Sequence, residues 1–119
     1  MNFREDLDWS TVVNPITDEQ AKAWVAALRS GEYAQTIGQM YRSVESLKGP
    51  EGYCCLGVAN KIFELGKDDY AATLTTSDEN CDFVLIPGSL QRELYGLNDT
   101  ERKSFEEIAD VIEKGFGLV

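Results

Sequence analysis

The sequence predicts one α+β domain, with three longer helices and a short one packed on a small sheet. Two observations support this fold class. Three segments repeat apolar residues at intervals of three and four, the spacing of a helix with one buried side. Shorter apolar or alternating segments lie between glycines and prolines, as strands do. A chain of 119 residues with 43% hydrophobic content is long enough to form one core.

The N-terminal half begins with an arm, residues 1–16, that is irregular or contains a short strand and is packed down on the domain, residues 17–119, by Trp9. The first helix, near 17–30, begins at TDEQ, where Thr17 and Gln20 form a capping box. Its core-facing stripe is Ala21, Trp24, Val25 and Leu28. Alternation then predicts a strand over 36–44, followed by a glycine- and proline-containing loop.

The C-terminal half is predicted to contain a buried helix over 54–65, a strand at 82–86 and a short helix over 89–96 capped by Ser89. A further strand is considered at 72–76. The segment LND, residues 97–99, is interpreted as a connector to a final helix near 100–114. That helix is capped by Asp99 or Thr100, or begins later at a capping box of Ser104 and Glu107. Its buried stripe is Phe105, Ile108, Ala109 and Ile112.

The charge balance limits the partners that the chain can bind. Twenty-one acidic and eleven basic residues give a formal charge of −10. This charge repels nucleic-acid phosphates and anionic lipids, so we expect no direct nucleic-acid or membrane binding. It suits a partner with a basic surface, although solubility alone is the alternative explanation. The acidic N-terminus resembles no targeting peptide and no apolar run is long enough for a membrane span, which predicts a cytoplasmic protein.

The absence of histidine excludes several kinds of catalytic site. Without it the chain can form no Ser-His-Asp triad, no Cys-His pair and no histidine-ligated metal. Catalysis would depend on carboxylates, cysteine, lysine or tyrosine, and none of these occurs in a recognisable catalytic spacing. The sequence therefore predicts a protein that is not an enzyme and that needs no cofactor or metal.

The adjacent cysteines of GYCCLG, residues 52–57, are the most conspicuous local feature. Cys54 and Cys55 cannot readily share one zinc ion, and only Cys81 remains to complete a site. A disulfide between neighbours is strained and would be reduced in the cytosol. We expect both thiols to pack in the core at the start of a helix. A ligand-contacting or redox role, or a nucleophile in a cysteine-dependent enzyme, stays open because helix N-termini lower thiol pKa values.

Three segments together resemble a family of small uncharacterised proteins that are common in tailed-phage genomes. The segments are WVAALRSGEYAQTIGQM, YCCLGVANKI and LYGLNDTERKSFEEIADVIE, and they span most of residues 20–113. Where this chain has VANKI, relatives often carry a further cysteine, a departure that disfavours a shared metal site. The resemblance implies a phage origin and location in the host cytoplasm, but no mechanism.

The functional hypothesis combines this origin with the acidity of the chain. We expect an accessory protein that binds, and thereby inhibits, a host protein with a basic surface. The candidate partner-binding residues are Asp68, Asp69, Glu106, Asp110 and Glu113. A solvated helix face is the alternative for the last three. A second hypothesis is a nucleotide-binding pocket, in which a helix N-terminus would hold the phosphate. Its candidate residues are Tyr41, Arg42, Tyr53, Cys54 and Cys55.

Overall fold

The computed structural model describes residues 2–36, 41–42, 52–63 and 83–118. Five helices and four short strands follow one another in this part of the chain. In order they are α1 Phe3–Asp6, β1 Val12–Pro15, α2 Asp18–Arg29, β2 Tyr41–Arg42, β3 Gly52–Tyr53, α3 Cys55–Ile62, β4 Phe83–Leu85, α4 Gly88–Asp99 and α5 Phe105–Gly115. The strand considered at 72–76, and most of the strand predicted over 36–44, lie outside the described residues.

Helix α2 confirms the capping box that its sequence predicts. The Gln20 amide N–H donates to the Thr17 hydroxyl over 3.1 Å, and the Thr17 amide N–H donates to the Gln20 side chain over 3.0 Å. These two bonds satisfy amides that the first helical turn leaves unpaired. The stripe predicted to face the core is buried, and its residues are Ala21, Trp24, Val25 and Leu28.

The two C-terminal helices differ in part from their predictions. Helix α4 extends to Asp99, so the LND segment is helical and is not a connector. Ser89 is not its cap, because the helix begins at Gly88 after Pro87 and has no side-chain cap bond. Helix α5 begins at Phe105 and not near residue 100. Ser104 caps it through the alternative capping box with Glu107.

The predicted packing of helices on a small sheet is not confirmed. Among the described residues, β1 pairs with β4 in parallel and β2 pairs with β3 antiparallel, so the strands form two separate two-stranded pairs. The helices pack mainly on one another: α2 contacts α5 and α3, and α4 contacts α3 and α5. The protein is therefore a compact, helix-rich single domain, and its division at residue 16 stays a prediction.

The N-terminal segment is anchored at the C-terminal end of α5 by aromatic contacts. The Phe3 ring is 3% exposed and meets the Phe116 ring edge-on at 5.2 Å between centroids. The Trp9 indole N–H donates to the Phe3 carbonyl over 2.9 Å, which holds the one-turn helix α1 against this cluster. The helical turn of α1 was not predicted from the sequence.

Two glycines in helices should respond to alanine in opposite directions. A Cβ on Gly115 would overlap the Phe3 ring, whereas a Cβ on Gly96 in α4 would meet no atom within 4 Å. We expect Gly115→Ala to lower the free energy of unfolding by about 1–3 kcal/mol through overpacking. Gly96→Ala should raise it by about 0.5–1 kcal/mol, because alanine restricts the unfolded chain. Urea titration of both variants measures the two changes, and a stabilised Gly115→Ala variant would contradict the packing of Phe3.

Candidate functional site

The three segments quoted above meet at one place, the motif junction, formed by residues 33–36, 53–55 and 98–99. The backbone joins the first two segments: the Thr36 N–H donates to the Tyr53 carbonyl and the Tyr53 N–H donates to the Ala34 carbonyl, each over 2.7 Å. The rings of Tyr33 and Tyr53 pack edge-to-face with centroids 5.4 Å apart. Residues far apart in the sequence are thus in direct contact.

Asn98 connects the motif junction to the end of α4. Its side chain is fully buried, and its amide group donates to the Thr36 carbonyl over 2.8 Å and to the Asp99 carboxylate over 2.6 Å. Its own oxygen accepts from the Gln35 amide group over 2.8 Å, which also donates to the Lys103 carbonyl. A buried amide with these partners fixes the first and third segments relative to each other.

The two cysteines are part of the core, as predicted. Both are 0% exposed. The Cys54 sulfur caps α3 by accepting the Gly57 N–H over 3.4 Å, and the Cys55 thiol donates to the Leu94 carbonyl over 3.5 Å. The Cys55 carbonyl in turn accepts the Trp24 indole N–H over 2.9 Å. Cys54 therefore caps α3, and Cys55 joins α3 to α4 and α2.

Burial makes both thiols poor nucleophiles. It raises the pKa of Cys54 to about 11, and the backbone N–H groups at the helix start offset this only in part. Burial raises the pKa of Cys55 well above its usual value, and the neighbouring Cys54 and Asp99 act in the same direction. At neutral pH both groups are protonated and shielded from solvent, which is the opposite of a reactive cysteine.

Alkylation should therefore require unfolding. We expect iodoacetamide to leave Cys54 and Cys55 unmodified in the folded protein at pH 8 and to modify both in urea, as measured by peptide mass spectrometry. Labelling of either residue in native buffer, at a rate near that of a free thiol, would contradict the packing role.

The residues of the predicted nucleotide pocket lie only partly within the described part of the chain, so this pocket stays a prediction. Strand β2 brings the backbone of Tyr41 beside Tyr53, but the side chains of Tyr41 and Arg42 lie outside the described residues. Tyr53, Cys54 and Cys55 are all buried. The Asp99 carboxylate is close enough to raise the pKa of both thiols. A negative charge near the start of α3 opposes the binding of a phosphate there.

The acidic residues predicted on α5 are partly neutralised by the fold. The Arg29 guanidinium at the end of α2 donates to the Asp110 carboxylate over 2.6 Å and to Glu113 over 2.9 Å. These bonds raise the pKa of Arg29. The hydrogen bond from Arg29 is in turn the main cause of the lowered pKa of Glu113. Glu106 is exposed on the same helix. Two of the three predicted carboxylates thus tie α5 to α2, and Asp68 and Asp69 lie outside the described residues.

A second acidic surface is formed by the arm and the start of α2, and we call it the N-terminal acidic face. Its acidic residues are Glu5, Asp6, Asp8, Asp18 and Glu19, all exposed. The Arg4 guanidinium joins the two segments through a 2.8 Å bond to Asp18. The sequence alone does not indicate that Asp18 and Glu19 lie beside the arm, because the Arg4 and Asp18 contact joins residues 14 positions apart.

The described residues contain no cluster of side chains that could hold a metal ion. Across residues 2–36, 41–42, 52–63 and 83–118, no three side chains of Cys, Asp and Glu are placed to hold a metal ion. The helices within these ranges are also too short or too polar to cross a membrane.

Comparison with known proteins identifies the family of the chain but no activity. No curated protein and no solved structure matches it significantly. The model of a domain of unknown function, DUF8296, matches residues 16–90, which is more than half of the sequence. This range begins just before α2 and ends in the first turn of α4, so it includes Cys54 and Cys55 at the start of α3. The chain therefore belongs to the DUF8296 family.

Proposed function

We propose that the protein is a tailed-phage accessory protein that binds and inhibits a basic host protein in the host cytoplasm. The phage origin is supported by the resemblance of the three segments that meet at the motif junction. The observation that carries the binding function is the N-terminal acidic face. It holds five exposed carboxylates, of which Asp18 alone forms an ion pair with another described residue, Arg4.

The chemistry of the residues at the motif junction favours a binding function over catalysis. Both junction cysteines are buried and protonated, and the sequence has no histidine to act as a base. The polar groups of Gln35 and Asn98 are engaged with one another and with backbone carbonyls. These side chains hold the fold together, which leaves the charged surface to meet a partner.

The N-terminal acidic face is better suited to a basic partner than α5 is. On α5, Asp110 and Glu113 share Arg29, whose positive charge offsets part of the attraction of both carboxylates for a partner's cation. On the N-terminal face, Glu5, Asp6 and Glu19 form no ion pair with another described residue within 4.0 Å. Unpaired surface carboxylates steer a basic partner into contact, and this steering weakens as salt rises.

Affinity capture from a lysate of the bacterial host tests this function. Immobilised wild-type protein should retain a specific basic protein that salt elutes and whose activity falls when the complex forms. We expect a bait with three substitutions on the N-terminal acidic face to retain less of this protein: Asp6→Asn, Asp18→Asn and Glu19→Gln. The control bait carries Glu93→Gln, Glu106→Gln and Asp110→Asn. Each bait loses three negative charges, so a difference between them reports the position of the charges and not their number. Failure to recover any specific protein would overturn the proposal. A parallel thermal-shift screen against nucleotides covers the second hypothesis, because a bound nucleotide would raise the melting temperature.

A further inference from the structure

A groove runs beside the start of α2, between the arm and the chain that leaves β1. Its lining residues are Arg4, Pro15, Ile16, Thr17, Asp18 and Glu19, and we call it the α2 groove. Pro15 and Ile16 supply apolar lining, while the other members place charged and hydroxyl groups around them. Ile16 is 1% exposed, so it belongs to the core and gives this part of the groove a firm base.

An exposed apolar side chain lies close to the groove along the chain. Val13 is 39% exposed, and it is the large hydrophobic side chain that stands out to solvent in the described residues. It precedes Pro15 by two residues, so the chain length keeps their Cα atoms within about 7 Å of each other. A single exposed valine is ordinary. Its place next to an apolar-lined groove is what makes a contact with a partner's apolar side chain favourable.

The acidic residues around the groove favour a positively charged occupant. Asp18 and Glu19 lie in its lining, and Glu5, Asp6 and Asp8 are on the adjoining arm. Arg4 shows how the site holds a cation: its guanidinium pairs with Asp18 at 2.8 Å and lies 5.5 Å and 5.0 Å from the ring centroids of Trp9 and Phe116. Arg4 contacts one oxygen of the Asp18 carboxylate, whose side chain is 65% exposed, so a partner's lysine or arginine can pair with the other oxygen.

Strand addition at β1 is disfavoured by the backbone there. Asn14 has φ of 55°, and the pairing register of β1 with β4 shifts between Val13 and Pro15. Pro15 has no N–H to donate to an added strand. A partner therefore has to be bound mainly through side chains and not as a further strand.

We propose that the α2 groove binds a lysine- or arginine-rich segment of the partner that carries one apolar side chain. The cations pair with Asp18, Glu19 and the arm, and the apolar side chain contacts Val13 and Pro15. This inference rests on the proposed function and names the surface and the partner chemistry for it.

The probe is a synthetic peptide of lysines and arginines around one leucine, titrated into ¹⁵N-labelled protein and followed by NMR. We expect the largest amide shifts at residues 12–19. The serine-for-leucine peptide should bind more weakly to the wild type, but this difference should disappear in Val13→Ser. Shifts centred on α5 or spread over all acidic segments, or no binding, would overturn the proposal. An equal leucine effect in Val13→Ser would do the same.

A charge-matched pair of variants separates the groove from general acidity. Asp18→Asn with Glu19→Gln should weaken peptide binding about three- to tenfold, as expected for two exposed ion pairs. Glu93→Gln with Glu106→Gln removes the same charge and should change it less than about twofold. Equal weakening by the two pairs would overturn the groove. If the host partner binds the Asp18→Asn and Glu19→Gln variant normally, the proposed function stands without the groove. If the peptide binds as expected and no host protein is captured, the proposed function alone fails.

Discussion

Replacing Asn98 with aspartate should destabilise the protein by about 3–5 kcal/mol at pH 7, as expected for a buried charge without a counter-charge. The side chain keeps its shape but loses the amide group that donates to the Thr36 carbonyl and to the Asp99 carboxylate. An acceptor then faces two acceptors, and a second negative charge lies beside Asp99. Urea titration measures the free energy of unfolding.

The pH dependence of this variant distinguishes charge from lost bonding. Burial and Asp99 raise the pKa of the new carboxyl in the folded state above its unfolded value, so the folded state binds the proton more tightly. The penalty relative to wild type should therefore shrink as pH falls from 7 towards about 4. Asn98→Ala loses those two bonds and the bond from Gln35 without adding a charge, and its penalty should stay constant over that range. A pH-independent penalty in Asn98→Asp would show that the site is solvated.

Replacing Trp24 with alanine should also lower the free energy of unfolding by about 3–5 kcal/mol. The indole is fully buried, and it lies on α2, which packs against both α5 and α3. Its removal leaves a cavity and frees the Cys55 carbonyl from its hydrogen bond. Thermal or urea unfolding measures the loss.

Trp24→Phe separates the cavity from the hydrogen bond. Phenylalanine fills most of the space but cannot donate to the Cys55 carbonyl, so we expect an intermediate loss of about 1–3 kcal/mol. If the Trp24→Ala variant were as stable as the wild type, the central position of this side chain in the core would be contradicted.

The parts of the fold that local chemistry determines were predictable from the sequence. The capping boxes at Thr17 and Ser104 depend on residues three positions apart, and both are present in the structure. The buried stripes of α2 and α5 follow from helical spacing alone. The burial of Cys54 and Cys55 followed from the lack of a partner for any other chemistry.

The parts that depend on distant contacts were not predictable. The sequence predicts a connector at Asn98, because nothing near this residue reveals that it bonds to Thr36, 62 residues earlier. The separation of the strands into two pairs depends likewise on tertiary packing of the helices.

The candidate surface was predicted only in part for the same reason. The acidity of the arm is visible in the sequence, but its contact with α2 depends on the Arg4 and Asp18 pair. The predicted charge of α5 omitted Arg29, which is 81 residues from Asp110 and more distant from Glu113.

The salt dependence of binding to the captured host protein tests the central claim most directly. The dissociation constant should be measured by calorimetry between about 0.05 and 0.5 M NaCl, where the screening length falls severalfold. If an acidic surface binds a basic partner, the affinity should fall at least about tenfold across this range, and the partner's activity should be restored in parallel. A dissociation constant that does not change with salt would contradict an electrostatic inhibitor.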